Sequence, residues 1–341
     1  MNRQFLSLVA GVLVLALCRP IHANAQTTLT AQSAMKFLSI GVGARAAGMG
    51  YSFVTNTDDI STIFWNPAGI ANLSGTRAFL DVNNWISDIK QFSFAATQNL
   101  GEYGVVGLSF TVMDYGDIYG TAIELSAASS GSFEYIETGL VKVTNYAVGL
   151  TYSRAISSQF SVGGQVKYAY SGLGTNTVVL AGGEETVDNT VSTPAFDVGT
   201  TFNTGFRDLT FSMSLRNFSR EIRYPRMTQG FYLPLVFALG FSIDAFKLID
   251  PGNTVHSVVV TVTGLHPMDY LEKAMIGAEY SFNHQWFLRA GYMFNYSIES
   301  LTLGLGARVP FADAEYIQFD YAYSVMQYFD GVHRLSLGVV L

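Results

Sequence analysis

The final ten residues of the chain alternate strictly between two kinds of side chain. Because the pleat of an extended strand has a period of two, the two kinds must face opposite sides. The apolar side is formed by Leu335, Leu337, Val339 and Leu341, and the polar or small side by Arg334, Ser336 and Gly338. An alternating strand that ends on an apolar residue is typical of the closing strand of a bacterial outer-membrane β-barrel, with one face toward lipid and the other toward a lumen.

Composition supports a membrane-spanning sheet. Only 13% of the residues are charged, whereas a typical soluble domain has about 25%. Aromatic residues reach 14% and the chain contains 33 glycines. Beyond the N-terminus no run of 18 apolar residues occurs, so helical spans are not expected. A closed barrel is the other structure that satisfies every backbone group in lipid.

The N-terminus is typical of a secretory signal peptide. Arg3 is followed by the apolar stretch 6–17 and by small residues before Ala25, which predicts a signal peptide at 1–25. Lipidation of Cys18 is an alternative, but Leu17 stands where a lipoprotein signal has a small residue. Cleavage removes two arginines and no acid, so the net charge of −7 becomes −9. That acidity argues against nucleic acid as a partner.

Segments of nine to fourteen residues with strand-like alternation recur along the chain, a length that suits tilted membrane strands. They predict an all-β fold, a transmembrane antiparallel β-barrel of about 14 strands at 76–341. The segments are 76–84, 91–100, 103–114, 143–156, 160–171, 193–203, 208–218, 233–244, 255–264, 272–282, 285–297, 300–310, 315–325 and 332–341.

The predicted links between strands differ in length at the two ends. The long links fall mainly after odd-numbered strands, and most links after even-numbered strands are short. Outer-membrane barrels place long loops outside the cell and short turns in the periplasm. The three longest links, 115–142, 172–192 and 219–232, are therefore candidate contact surfaces, and residues within 131–138 can form one arm of a hairpin.

Residues 26–75 lack regular alternation and are rich in glycine, alanine, asparagine and threonine. They precede the first predicted strand, so they are expected to form a plug in the lumen, with a loose periplasmic tail as the alternative. The residues that mark this plug are Gly43, Arg45, Gly48, Gly50, Asp58, Asp59, Trp65, Asn66, Pro67, Ala68 and Gly69.

Alternation within the strands also predicts which charged side chains face the lumen. The predicted lumen charges are Lys167, Asp197, Arg216, Glu279, Arg289, Arg308, Asp320 and Arg334. Because both signs are present, a structural network that joins strands and holds the plug is favoured, since unpaired buried charges are costly. A selectivity lining for a solute path is the alternative.

Two N-terminal stretches resemble a known family. Residues 37–50, FLSIGVGARAAGMG, and residues 63–71, IFWNPAGIA, look like the N-terminal signature of the PorV/PorQ family of outer-membrane proteins. That family is similar to the FadL long-chain fatty acid transporters, which have fourteen-stranded barrels and an Asn-Pro-Ala motif in the hatch, matched here by 66–68. The closing residues 319–323 and 333–337 also resemble the family.

The resemblance implies two candidate functions in the outer membrane. The first is a component of type IX protein secretion that binds the C-terminal signal domains of secreted cargo or a secretion translocon. The second is a FadL-like channel that passes hydrophobic ligands through the lumen. Length and signature rank partner recruitment first.

Other classes of function have little support. Residues 41–46 fit a dinucleotide fingerprint, but no βαβ unit surrounds them. The histidines lack metal-ligand spacing, and no nucleophile elbow appears, so no metal, cofactor or enzymatic activity is expected. Asp58 and Asp59 have oxygen ligands that suit a hard cation, although such a pair more often forms a solvated turn.

Overall fold

The computed structural model describes residues 33–124, 134–180, 183–311 and 314–341. The predicted signal peptide, 1–25, lies outside this range. Among the described residues, no helix combines the length and the apolar character that crossing a membrane requires.

Strands make up most of the described chain. In chain order they are β1 (Thr76–Asn84), β2 (Lys90–Asn99), β3 (Val105–Asp114), β4 (Tyr119–Glu124), β5 (Glu134–Leu140), β6 (Thr144–Ala155), β7 (Phe160–Leu180), β8 (Gly183–Asn203), β9 (Thr210–Ser219), β10 (Val236–Asp244), β11 (His256–Pro267), β12 (Lys273–Phe282), β13 (Trp286–Phe294), β14 (Glu299–Phe311), β15 (Ala314–Met326) and β16 (Val332–Val340).

Within the described residues, fourteen of these strands close into an antiparallel barrel, which confirms the predicted fold class and strand number. Each barrel strand pairs with the next barrel strand along the chain, with β3 paired to β6, and β1 closes the ring on β16, from Arg77 opposite Val340 to Asn84 opposite His333. Strands β4 and β5 form a separate hairpin in the connection between β3 and β6.

The predicted loop at 172–192 is wrong, because β7 continues to Leu180 and β8 begins at Gly183. After a register shift beyond Gly172, β7 and β8 pair again from Thr175 opposite Asp188 to Leu180 opposite Gly183. The added segments contain many threonines and valines, which favour strands. In a long hairpin the two strands satisfy each other's backbone hydrogen bonds, so they can pair beyond the barrel.

Side chains on the two faces of the wall differ as alternation requires. On β13, Trp286 and Leu288 are 61% and 55% exposed on the outer face, while Arg289 is 4% exposed on the inner face. The outer face of the other strands carries similarly exposed leucine, valine and phenylalanine side chains, whereas buried serine, threonine and glutamine predominate inside.

We name the two ends of the barrel by their connections. The loop end carries 85–89, 115–124, 134–143, the β7–β8 extension, 220–235, 268–272, 295–298 and 327–331. The turn end carries 100–104, 156–159, 204–209, 245–255 and 283–285. The remaining regular elements are 3-10 helices at Lys36–Ser39, Ile60–Phe64, Pro67–Ile70 and Gly101–Tyr103, and α-helices at Ala44–Gly48 and Phe246–Ile249.

Candidate functional site

Residues 33–75, which we call the N-terminal segment, run through the barrel from the loop end to the turn end. At the loop end, Ser33 forms a parallel bridge with Tyr232, and the amide of Ala34 donates to the carbonyl of Tyr232 at 2.9 Å. At the turn end, the carbonyl of Gly75 accepts from the amide of Asn99 at 3.1 Å. Almost every residue between 42 and 71 is buried, and the contacts reach inward-facing residues on both sides of the barrel.

The first part of the segment fills an apolar chamber near the loop end. Ala34, Met35 and Phe37 are 7%, 5% and 4% exposed there. The chamber wall consists of inward-facing Met113, Ala147, Ala169 and Ala195, and its cover of Ile222, Phe231 and Leu233. The small wall residues leave room that the segment's own large side chains occupy.

The cover of the chamber is a short hairpin, residues 220–233, which we call the lid. Ile222 and Phe231 exchange two backbone hydrogen bonds of 2.8 Å, which fold the lid onto itself. The Tyr224 hydroxyl donates to Ser171 Oγ at 3.3 Å and ties the lid to β7. Because Tyr232 also pairs with the start of the N-terminal segment, the lid and the segment form one connected unit.

Residues 35–41 have few polar bonds to the barrel. Beyond local turns, Gln91 Nε2 reaches the carbonyl of Ile40 at 3.5 Å. Lys36 and Ser33 both bond to the buried carboxylate of Asp269. Met35 has a φ of 52°, a left-handed conformation that a residue with a side chain rarely adopts. Apolar contact and the ion pair of Lys36 with Asp269 therefore hold this part of the segment.

The next part of the segment is held by ions. Arg45, in the helix Ala44–Gly48, is bidentate to Glu279 of β12, with Nε and Nη2 at 2.8 and 2.6 Å from the two carboxylate oxygens. Its Nη1 lies 2.8 Å from Asp58 Oδ1 and 3.4 Å from Asp59 Oδ2. Planar bidentate pairing of this kind is the strongest form of charge-assisted hydrogen bond.

The pairing extends around the wall. Arg289 lies 2.5 Å from Glu279 and 2.6 Å from Asp320. Arg308 donates to Gln318 at 2.7 Å and lies 3.3 Å from Asp58. We call Arg45, Asp58, Asp59, Glu279, Arg289, Arg308, Gln318 and Asp320 the ionic network. It joins three of the residues that the sequence predicts to mark a plug to four of the predicted lumen charges.

The network changes the acidity of the segment's charged groups. The Asp58 side chain is 54% exposed to the cavity; Arg45 and Arg308 outweigh its partial desolvation and hold the pKa of Asp58 well below its usual range. Burial also opposes the charge on Arg45, yet Asp58 and Glu279 raise the pKa of Arg45 above its usual value. Both groups are therefore charged at neutral pH, which keeps the segment bonded to the wall.

The Asn66-Pro67-Ala68 turn is a structural joint. Asn66 is fully buried; its Oδ1 accepts from the amide of Ala68 at 3.0 Å and caps the 3-10 helix Pro67–Ile70. Its Nδ2 donates to the carbonyl of Val54 at 2.9 Å and to Thr201 Oγ1 at 3.2 Å. One side chain thus bonds its own turn, another part of the segment and strand β8.

Trp65 packs in the middle of the lumen. Its Nε1 donates to the carbonyl of Val42 at 2.9 Å, and Ser214 Oγ donates to the Trp65 carbonyl at 2.9 Å. The Arg216 guanidinium lies 5.0 Å from the centre of the indole and donates to the carbonyl of Phe64 at 2.9 Å. Arg216 thus bonds the segment directly.

Glycines let the segment and the wall touch through their backbones. A Cβ on Gly48 would lie 2.9 Å from the Cα of Gly304, and one on Gly50 would lie 2.9 Å from the amide nitrogen of Tyr292. A Cβ on Gly291 would overlap the backbone nitrogen of Gly50, which has a φ of 61°. Close approach and a positive φ explain why these positions are glycine.

The two other glycines among the predicted plug residues have local roles. Gly43 has a φ of 97° and precedes the helix Ala44–Gly48, whose first amide donates to Ser336 Oγ at 2.7 Å. Gly69 lies in the 3-10 helix Pro67–Ile70, where a side chain would overlap Thr62. Both therefore shape the segment's backbone rather than a binding surface.

The other lumen charges form two smaller groups. Lys167 lies 2.8 Å from Asp197 and 2.5 Å from Asn217 Oδ1, next to a register shift between β8 and β9. Arg334 is 1% exposed; its Nε lies 3.9 Å from Asp81 Oδ2, and its guanidinium 5.6 Å from the Tyr51 ring. These groups lie apart from the ionic network.

Several residues that hold the segment were missed by sequence reasoning. Alternation in β1 places Asp81 on the same face as Phe79, so its inward position could have been read from the pattern. Asp269 and Ser336 gave no such signal of pairing. Tyr51 stacks on Trp65 at a ring distance of 5.7 Å, and burial raises the pKa of Tyr51 to about 12.

A polar cavity of about 420 Å³ opens at the turn end, between the segment and strands β9 to β14. Its lining includes Arg45, Asp58, Glu279 and Arg308 of the ionic network, together with Lys247 and Asp208, which pair with each other. Among the described residues, no cluster of three or more potential ligands could hold a metal ion.

Comparisons with known proteins give a family and a fold. The model of UPF0164, described as an uncharacterised protein family, matches residues 11–228. No curated protein matches the chain.

Solved structures with a similar fold include three barrels. A Pseudomonas aeruginosa FadL homologue has a TM-score of 0.54 at 12% identity, covering 88% of this chain and 98% of that one. The Pseudomonas putida toluene transporter TodX has a TM-score of 0.56 at 12% identity, covering 92% and 98%. The CymD monoaromatic hydrocarbon channel has a TM-score of 0.52 at 10% identity, covering 88% and 96%. At these identities the likeness shows the fold.

Proposed function

We propose that this chain, which belongs to the uncharacterised protein family UPF0164, is an outer-membrane channel that admits small apolar molecules at its loop end. Similar structures are, by their own descriptions, a FadL homologue, a toluene transporter and a hydrocarbon channel, which supports both the location and the solute class. These likenesses favour transport over the recruitment of secreted cargo that the sequence ranks first.

The apolar chamber is the observation that carries this proposal. Ligand sites are lined mostly by apolar side chains with few polar groups, and the buried cluster around Met35 and Phe37 has that composition. Its occupants are Met35 and Phe37, flexible and aromatic side chains of the chain itself. An apolar solute would take their place, so the chain's own segment acts as a competing ligand.

Unequal anchoring of the N-terminal segment lets the chamber open while the lumen stays plugged. Residues 35–41 are held by apolar contact and one ion pair, Lys36 with Asp269, whereas Arg45 is bidentate to Glu279 and Asn66 bonds four partners. The lid moves with the first part because Tyr232 pairs with Ser33. In this proposal, residues 33–41 and the lid form the mobile gate, and residues 44–71 form the fixed plug.

The test is binding of a neutral apolar fluorophore, N-phenylnaphthylamine, to the purified barrel. The variant Phe37→Ala weakens the competing contact and is expected to increase fluorophore affinity, because burying a phenylalanine contributes roughly 1.5–3 kcal/mol. Phe53→Ala, in the fixed plug, is the matched control and should leave affinity unchanged. Equal affinity in wild type and Phe37→Ala, or no binding to either, would contradict the proposal.

Partner binding remains a second candidate because apolar side chains are exposed on the loop-end connections. Tyr119, Leu140 and Tyr328 are 62%, 63% and 72% exposed there. Exposed apolar surface of this kind marks interaction sites. Affinity purification of the tagged protein from its native membrane tests this: secreted proteins sharing a C-terminal domain, or a large translocon, would support recruitment, and a partner-free barrel would oppose it.

A further inference from the structure

Four polar side chains on the inner face of β1, β2 and β16 form a buried group outside the ionic network. We call Asp81, Asn83, Gln91 and Arg334 the polar row, and each of them is at most 1% exposed. Asn83 lies opposite Gln91 on one neighbouring strand and opposite Arg334 on the other. Its Nδ2 donates to Gln91 Oε1 at 3.2 Å. The polar row therefore crosses three adjacent strands of the wall.

The polar row contains donors and acceptors that no other group uses. Among the described residues, none of the three Arg334 nitrogens has a hydrogen-bond partner, and Asp81 Oδ2 lies 3.9 Å from Arg334 Nε, too far for such a bond. Asp81 Oδ2 and Asn83 Oδ1 also lack donors within that part of the chain, although Asp81 Oδ1 accepts from Ser336. Buried polar atoms without hydrogen bonds are destabilising, so this group needs a physical explanation.

The mobile gate ends against this row. Ile40 packs on the apolar chamber, and its carbonyl accepts from Gln91 Nε2 at 3.5 Å. A Cβ on Gly41 would lie 2.6 Å from the ring of Tyr51, and the Arg334 guanidinium lies 5.6 Å from the centre of the same ring. Residues 40 and 41 therefore lie between the apolar chamber and the polar row, and displacement of the gate would make the two continuous.

We propose that the polar row binds the hydroxyl group of a solute whose apolar body occupies the chamber. A hydroxyl can accept a hydrogen bond from Arg334 and donate one to Asp81 Oδ2 or Asn83 Oδ1. A pure hydrocarbon would leave these atoms unbonded, and a carboxylate would have no proton to donate and would be repelled by Asp81. The ligand class is therefore neutral alcohols and phenols. This inference rests on the proposed function and adds the polar group that the solute carries.

The experiment measures how well three ligands of similar length displace N-phenylnaphthylamine from the purified barrel at neutral pH. The ligand para-hexylphenol carries the hydroxyl, hexylbenzene lacks it, and para-hexylbenzoate carries a carboxylate in its place. Partition of each ligand into protein-free micelles is measured separately and used to correct its affinity. The wild type should bind para-hexylphenol about tenfold more tightly than either of the others, because a hydrogen bond to a charged group contributes at least that factor.

Two variants locate the hydroxyl at the polar row. Arg334→Met removes the donors and should lower the affinity for para-hexylphenol about tenfold, and Asn83→Ala removes one acceptor and should lower it about fivefold. Both should leave the affinity for hexylbenzene unchanged. Arg154→Met, an exposed position near the end of β6, is the matched control and should change neither affinity. Heat-modifiable migration identifies the variants that fold, and the comparison of ligands on the wild type does not depend on them.

Equal affinity of the wild type for para-hexylphenol and hexylbenzene would overturn the inference and leave the proposed channel intact. Tightest binding of para-hexylbenzoate would also overturn it, because the ligand would then be an anion. An equal loss of both affinities in Arg334→Met would overturn it by giving Arg334 a purely structural role. Displacement of the fluorophore by none of the three ligands would instead contradict the proposed function itself.

Discussion

Replacing Arg45 by methionine tests whether the ionic network holds the N-terminal segment in the lumen. Arg45 makes three short contacts, at 2.6 and 2.8 Å to Glu279 and 2.8 Å to Asp58, and its side chain is 7% exposed. Removing one member of a buried ion pair typically costs about 3–5 kcal/mol, because the other charge stays buried. In Arg45→Met, Glu279 keeps Arg289 and Asp58 keeps Arg308, so the lower end, about 3 kcal/mol, is expected.

The reciprocal change, Glu279→Gln, should cost more. Arg45 and Arg289 share the Glu279 carboxylate, so both guanidinium groups lose their common counter-charge. Because the two substitutions act on one contact, the double variant should cost less than the sum of the two single losses, by about 1–3 kcal/mol.

The assay is equilibrium unfolding in urea in detergent micelles, followed by tryptophan fluorescence, which includes the buried Trp65 of the segment. Arg154→Met removes an exposed arginine near the end of β6 and serves as the control, with an expected change within about 0.5 kcal/mol. Losses that add to within about 0.5 kcal/mol in the double variant would refute the reasoning, since they would show that Arg45 and Glu279 act independently.

Three further predictions concern the fit of the segment. Gly291→Ala should destabilise the protein by about 1–3 kcal/mol, because the new Cβ overlaps the backbone of Gly50. Gly264→Ala is the control, because its new Cβ meets open space. Unfolding transitions of the two variants that coincide would contradict this prediction. Asn66→Ala should cost about 1–2 kcal/mol from the lost helix cap alone, measured in the same assay, and an unchanged midpoint would show that the turn folds without it. The pKa of Asp58 is lowered in the folded protein, so its contribution to stability is present above its unfolded pKa of about 3.9 and is lost as pH falls below that value. Unfolding measured over a pH series should show this loss in the wild type and a smaller loss in Arg45→Met. Identical dependence of the unfolding free energy on pH in the two proteins would argue against the pairing.

Much of the wall could be predicted from the sequence because a strand's alternation is local. Within β13, Arg289 and Leu288 are neighbours, and the period of two alone assigns them to opposite faces. The fourteen predicted barrel strands correspond to the fourteen observed. The errors are in strand length, and they occur where segments rich in polar and β-branched residues continue a strand beyond the barrel wall. The β7–β8 extension is such a case, because its pairing continues where no lumen requires an apolar face.

The candidate site was less predictable from the sequence. The predicted plug residues and lumen charges could each be proposed from residue type and face, but nothing local says that Arg45 meets Glu279 rather than Asp197. Asp269 and Ser336 were missed because they bond the segment through single side chains without a repeating pattern. Their roles follow from where the segment crosses each strand.

The sequence by itself determined that this chain forms an antiparallel barrel with an apolar outer face and a polar inner face. The physical reason is that alternation, length and low charge act on each strand separately. Only the tertiary structure decided which charges pair, because Arg45 and Glu279 are 234 residues apart and meet only once the strands are in register and the ring is closed. It also decided that Met35 and Phe37 fill the apolar chamber, since the wall, the lid and the segment come from distant parts of the chain and form a common apolar space only when packed together.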